Sequence, residues 1–188
     1  MSFLRFNQIK LNKRFDKRTP GQQVFMSLDG VHFRIFEPRP FRSGWFSHKF
    51  NKAGLTYEIG LNIRTGDICW TYGGFCSGIS DITMARLGLH DALPPNEKVI
   101  ADKGYLGQPD RFITPPLDRN NPMSVHLKLI TARHEVINMR MKHWNVMNRV
   151  WRHGWRSHNV VFLAVANLSQ IRLHFGEPFP DPFVRRDD

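Results

Sequence analysis

The chain has 188 residues, enough for one domain with a sizeable core, and its 41% hydrophobic and 12% aromatic content argues against a disordered chain. Lys and Arg number 27 against 16 Asp and Glu, a net charge of +11, which points either to a polyanionic partner such as nucleic acid or to a basic structural surface. Cys69 and Cys76, outside any Cys-x-x-Cys motif, argue against a structural zinc site and fit a reduced intracellular compartment. The longest apolar run, Val160 to Ala166, is too short to span a bilayer, and Met1 to Phe6 has no signal-peptide core, so no membrane partner is expected.

In chain order, Lys10, Lys13, Arg14, Lys17 and Arg18 make a basic arm that stops at Pro20-Gly21. Val24 to Phe36 is rich in strand formers but contains Asp29-Gly30 between two alternating runs, which by itself reads as a hairpin turn. Leu55, Tyr57, Ile59, Leu61 and Ile63 alternate with polar residues and Gly60, predicting a half-buried strand. Thr65-Gly66-Asp67 turns this strand into a second one, Ile68 to Tyr72, and Gly73 to Gly78 reads as a glycine-rich loop. Ser80 or Asp81 caps a helix to about Leu87. A short apolar strand, Lys98 to Ala101, delivers Asp102; Phe112 to Thr114 forms a last short strand, and Asp118 to Pro122 a polar loop. Two helices follow, about Ser124 to Trp151 and Asn159 to Phe175, then a proline-containing extended tail. Strands first, then a helix, a strand ending in an acid and late helices suit an α/β layer fold, whose ligands sit beyond the strand carboxyl ends.

Three acids stand out in this basic background. Asp29, Asp102 and Glu135 stand 73 and 33 residues apart. Converging carboxylates are hard oxygen ligands, and a pair of divalent ions working on a phosphodiester is the chemistry that would employ them. At helical spacing Asn138, Lys142, Asn145 and Arg149 share the side of Glu135, so the acid can hold a metal while its neighbours hold phosphates; a solvated amphipathic face is the plainer reading. Asp81 reads first as a helix cap and His134 as a packed or exposed histidine. Trp45, Trp70, Trp144, Trp151 and Trp155 read as core or interface residues, with base stacking as the alternative.

Taken together, Asp29-Gly30-Val31-His32, Gly78-Ile79-Ser80-Asp81, Ala101-Asp102-Lys103-Gly104-Tyr105 and Arg133-His134-Glu135 with Asn138 and Lys142 resemble the catalytic domain of the DDE transposase superfamily, most closely its Harbinger-type branch. The resemblance continues through Arg152-His153 and His158 to Gly176-Glu177-Pro178. It implies an RNase H-like mixed sheet flanked by helices, with the first acid inside the first strand, the second after the fourth strand and the third on a late helix. It implies Asp29, Asp102 and Glu135 as catalytic ligands of two Mg2+ or Mn2+ ions, with Asp29 bridging both. It also implies cleavage and joining of DNA, with Asp81, Lys103, Asn138, Lys142 and Arg149 as DNA-contacting or supporting groups. Residues 1–22 are then a basic arm, 23–176 the catalytic core and 177–188 a tail. Such transposases carry a helical DNA-binding region that the basic arm does not match. The expected partners are therefore DNA, a separate DNA-binding protein and a second copy of the chain, in the nucleus of a eukaryote or otherwise in the cytoplasm. The alternative is a transposase-derived binding protein without catalysis.

Overall fold

A computed structural model describes residues 8–116 and 122–183, except for the side chains at 122, 123 and 125. The expected loop at 118–122 therefore falls almost wholly outside the described residues. The strands are β1 (Val24–Arg34), β2 (Phe46–Ser47), β3 (Lys52–Asn62), β4 (Ile68–Cys76), β5 (Lys98–Ala101) and β6 (Phe112–Ile113). The helices are α1 (Asp81–Leu87), α2 (Leu89–Ala92), α3 (Pro122–His143), α4 (Asn145–Asn148) and α5 (Trp155–Phe175). β3 lies between β4 and β1, antiparallel to both, and β5 and β6 continue the sheet beyond β1 in parallel. The short β2 pairs with the start of β3. This is an α/β fold with a mixed sheet flanked by helices, compatible with the RNase H-like arrangement. Among the described residues no helix is long and apolar enough to cross a membrane.

Strand alternation sends the two faces of β1 into two cores. Val31 and Phe33 join Leu55, Tyr57, Ile59 and Leu61 of β3 against Ile137 and Met141 of α3 and Phe162 and Val165 of α5. Tyr57 stacks on Phe162 with centroids 3.8 Å apart and bonds His158 Nδ1 at 2.8 Å, which seats α5 on the sheet. Met26 and Leu28 face the other way, toward Ala85, Leu89, Val99, Ala101, Tyr105 and Phe112.

One local signal and three expectations give way. β1 runs unbroken through Asp29, as the resemblance implies, because pairing with β3 on one side and β5 on the other outweighs the local turn signal of Asp29-Gly30. β4 continues through the expected glycine loop to Cys76; Gly73 and Gly74, at φ 131° and 89°, absorb a bulge opposite Thr56 and Tyr57. β3 is buried on both faces, because the N-terminal segment and the α1 side cover its polar residues. Asn62 Nδ2 bonds the carbonyls of Lys13, Arg14 and Asp16, so the described part of the basic arm is docked onto the sheet.

The fourth change concerns the long helix. α3 stops at His143 instead of reaching Trp151, since Trp144 is extended at φ −72°, ψ 114°. The chain then returns to β1: Trp151 N–H donates to the Arg34 carbonyl at 2.9 Å and Phe36 N–H to the Trp151 carbonyl at 2.6 Å. Tertiary pairing has overridden helix propensity here. The tail from Gly176 to Phe183 is non-helical and packed: Asp181 pairs with Arg64, and Arg133 donates to the Pro180 carbonyl and lies over the Phe179 ring.

Candidate active site where β1 passes the end of β5

β1 and β5 are parallel and register Leu28 beside Ala101, so the next residues are neighbours: Asp29 within β1, which runs on to Arg34, and Asp102 just past the end of β5. Asp29 shares its face with Val31 and points toward α3, where Asn138 Nδ2 donates to its Oδ2 at 3.1 Å. Burial raises its pKa, against the opposing pull of Lys49, the Asn138 and Gly30 hydrogen bonds and Lys142. Asp102 is exposed and caps a single 3-10 turn, Lys103–Tyr105, by accepting the Gly104 N–H at 2.8 Å. The turn folds Tyr105 down into the core beneath it.

Asp81 is the third member of the group. Ser80 caps α1, accepting from Thr83 N–H, so Asp81 begins the helix with its carboxylate free of the capping task expected for it. One Asp81 oxygen lies 2.5 Å from where a Gly30 Cβ would stand and the other 2.6 Å from a Gly104 Cβ, with Asp102 Oδ1 3.0 Å from that second point. Two glycines thus make a cradle that any side chain would fill. Burial, opposed by Lys49 but reinforced by Asp102 and Asp29, raises the Asp81 pKa to about 6. Below the cradle, Glu58 faces Gly30 across the β1–β3 pair, wholly buried. It accepts from Trp70 Nε1 at 2.9 Å and from the Tyr105 hydroxyl at 3.4 Å, and burial raises its pKa to about 7.

Glu135 is placed differently. It sits on the exposed flank of α3, one turn before Asn138, and no hydrogen bond or ion pair ties it to another described residue. Residues three apart on a helix are neighbours, so Glu135 borders the group at the level of His134 without joining it. His134 is buried, bonds Ser27 Oγ at 2.9 Å, and is held neutral by burial with its pKa lowered to about 3, despite the nearby Asp102. Lys142, one turn beyond Asn138, faces Asp29, Lys49 and Arg34. Arg149 is off the helix, at the end of α4, so helical periodicity from Glu135 does not place it. Lys103 is exposed on the 3-10 turn beside Asp102.

Sequence reasoning missed Glu58 and Lys49. Glu58 belongs to an alternation that reads as a wet face, and only the cover over that face shows it to be internal. Lys49 follows β2 and donates to the Gly30 carbonyl at 3.1 Å, a contact without a local sequence signal. Trp144 is 40% and Trp155 43% exposed, and Trp155 packs edge-on to Trp45.

Asp29 and Asp81, with raised carboxyl pKa values, and the neighbouring Asp102 are hard oxygen donors that suit a divalent cation, which would relieve their mutual repulsion. Among the described residues no three His, Cys, Asp or Glu side chains stand close enough to enclose an ion as they are. Comparison with protein-family models, with curated proteins and with solved structures returns no match.

Proposed function

We propose that the chain is a metal-dependent DNA endonuclease core of the DDE type, cutting phosphodiesters and joining a freed 3′ hydroxyl to a second strand, in the nucleus if the source is eukaryotic. The observation that carries this reading is that Asp29, Asp81 and Asp102 lie within electrostatic reach of one another where β1 passes the end of β5, beside Lys49 and Lys142. Asp29, Asp102 and Glu135 would hold two Mg2+ or Mn2+ ions, which when bound supply an activated water and charge relief at the departing oxygen.

The protein's own groups do the positioning. Asn138 fixes Asp29 from the helix side, and Tyr105, resting on Glu58, supports the turn that presents Asp102. Lys49 and Lys142 offer positive charge to a phosphate next to the carboxylates. Asp81 lies where a carboxylate would share this work, beyond its expected supporting role.

A second reading, a transposase-derived polynucleotide-binding protein without catalysis, is favoured by the isolation of Glu135 from the aspartates. Nicking of supercoiled plasmid with Mg2+ or Mn2+ by the parent and by Asp102→Ala separates the two. The proposal expects nicking by the parent alone; equal nicking by both, or none by either, leaves the binding reading.

A further inference from the structure

Beyond the carboxylates, the surface carries a row of cations. One pocket of about 310 Å³ is lined by Arg34, Lys49, Lys142 and Asn148, among others. A second, of about 810 Å³, is lined by Arg34, Asn148, Arg149 and Arg152 among its residues. Sharing Arg34 and Asn148, the two form one continuous trough. Its near end is fixed by Lys49 and Lys142, both of which act on the Asp29 charge.

Among the described residues, none of Arg34, Lys49, Lys142, Arg149 and Arg152 has a carboxylate within ion-pair distance. All four ion pairs of the described residues involve other arginines: Arg14, Arg64, Arg140 and Arg172. Lys142 is held below its usual pKa by burial and by the like charges of Lys49 and Arg34. A cluster of like charges without a carboxylate partner among the described residues is stabilised by an external polyanion. Five strand residues separate Asp29 from Arg34, roughly 17 Å, about the axial rise of five nucleotides of B-form DNA.

We propose that this trough is the track for the phosphate backbone of a polynucleotide running away from the carboxylates, with Lys49, Lys142, Arg34, Arg149 and Arg152 each contacting phosphate. The proposal rests on the reading above in that it names where the DNA of that reading lies. It commits to phosphate contact without base specificity, because the trough offers cations in a row and Asn148 as a shared amide.

The test is equilibrium binding of a fluorescent DNA duplex to the full chain in EDTA, followed by anisotropy across a salt series. Two double variants, Arg34→Gln with Lys142→Gln and Arg149→Gln with Arg152→Gln, probe the two halves of the trough. Arg140→Gln with Arg172→Gln removes the same charge from arginines already paired with Glu177. Each trough double should lower the slope of log affinity against log salt by about 1.8, and weaken binding at least about tenfold near 0.1 M salt. The Arg140/Arg172 double should keep the parental slope, and Arg149→Lys with Arg152→Lys should restore it. Thermal melting checks that each variant is folded; Arg149 and Arg152 are exposed and outside every helix, so their double keeps the test open should the other fail to fold. Parental slope and affinity in the Arg149/Arg152 double, or an equal loss in the Arg140/Arg172 double, overturns the track. Without cleavage in EDTA, weakened binding supports the track even where parent and Asp102→Ala nick alike. Parental binding overturns it even where nicking depends on Asp102.

Discussion

The arginines near the start of β1 and those beyond its end have opposite fates. Near the start, Arg14 is buried against Glu97 at 2.7 Å, Arg64 pairs with Asp181, and Arg133 donates hydrogen bonds to the carbonyls of Ile63, Arg64 and Pro180. At the far end, Arg34, Arg149 and Arg152 face a trough and pair with no carboxylate among the described residues. The same residue type therefore serves cohesion at one end and is held in reserve for a partner at the other. A net charge of +11 does not distinguish them; only pairing does. Mutating the first kind should cost folding free energy, and mutating the second should cost binding while leaving folding alone.

The largest effect should come from the acids that the trough leads to. Asp102→Ala and Asp29→Ala should each lower plasmid nicking on the order of a thousandfold, about 4 kcal/mol of barrier, with circular dichroism unchanged. Activity within tenfold of the parent would detach the trough from any catalytic role. Next, Glu97→Ala strands the buried Arg14 guanidinium, so stability should fall by about 3–5 kcal/mol and the melting midpoint by roughly 10 °C. A midpoint like the parent's would show that the paired end is not holding the fold.

Glu58 gives a pH signature of somewhat smaller size. Its folded-state pKa of about 7 exceeds the ordinary value of 4.5, so the native state holds the proton more tightly than the unfolded chain. Its contribution is therefore complete below pH 4.5 and is lost as pH rises through 7. Glu58→Gln should remove roughly 3 kcal/mol of this decline, read from urea midpoints at about pH 5 and about pH 8. An unchanged slope would place the titration elsewhere. The smallest effect belongs to Arg149→Gln with Arg152→Gln, whose folding stability should stay within about 0.5 kcal/mol of the parent. A larger loss would make these arginines structural and blur the contrast between the two ends.

Much of the sheet was legible because periodicity and turn chemistry are local. The β3–β4 turn at Thr65-Gly66-Asp67, the strand before Asp102 and the apolar α5 all follow from nearest neighbours in sequence. Asp29-Gly30 was legible only through the resemblance, because its strong local turn signal was defeated by hydrogen bonding to β3 and β5, distant in sequence. The end of α3 at Trp144 was hidden for the same reason, since what stops the helix is pairing of Trp151 with β1. At the site, the resemblance paired Asp29 with Asp102, and in the fold Asp29 lies within β1 while Asp102 follows the end of the neighbouring β5. Local sequence left Ser80 and Asp81 both open as the cap; Ser80 takes it and releases Asp81. The resemblance did not anticipate that Glu135 would face solvent while Asn138, one turn on, reaches Asp29. Glu58 was concealed by alternation, which reports which face a residue shares and not whether that face is wet.

The return of the chain to β1 at Trp151 has a mechanical result. Asp29 and Arg34 ride on the same strand, and the main chain of Arg34 and Phe36 grips Trp151, which lies between Arg149 and Arg152. The interval from acid to outermost arginine is thus gauged by hydrogen-bonded backbone, as on a ruler. A bound strand whose phosphate spacing departs from that gauge must do the bending itself, so stiffness of the DNA, rather than give in the protein, would decide which molecules fit.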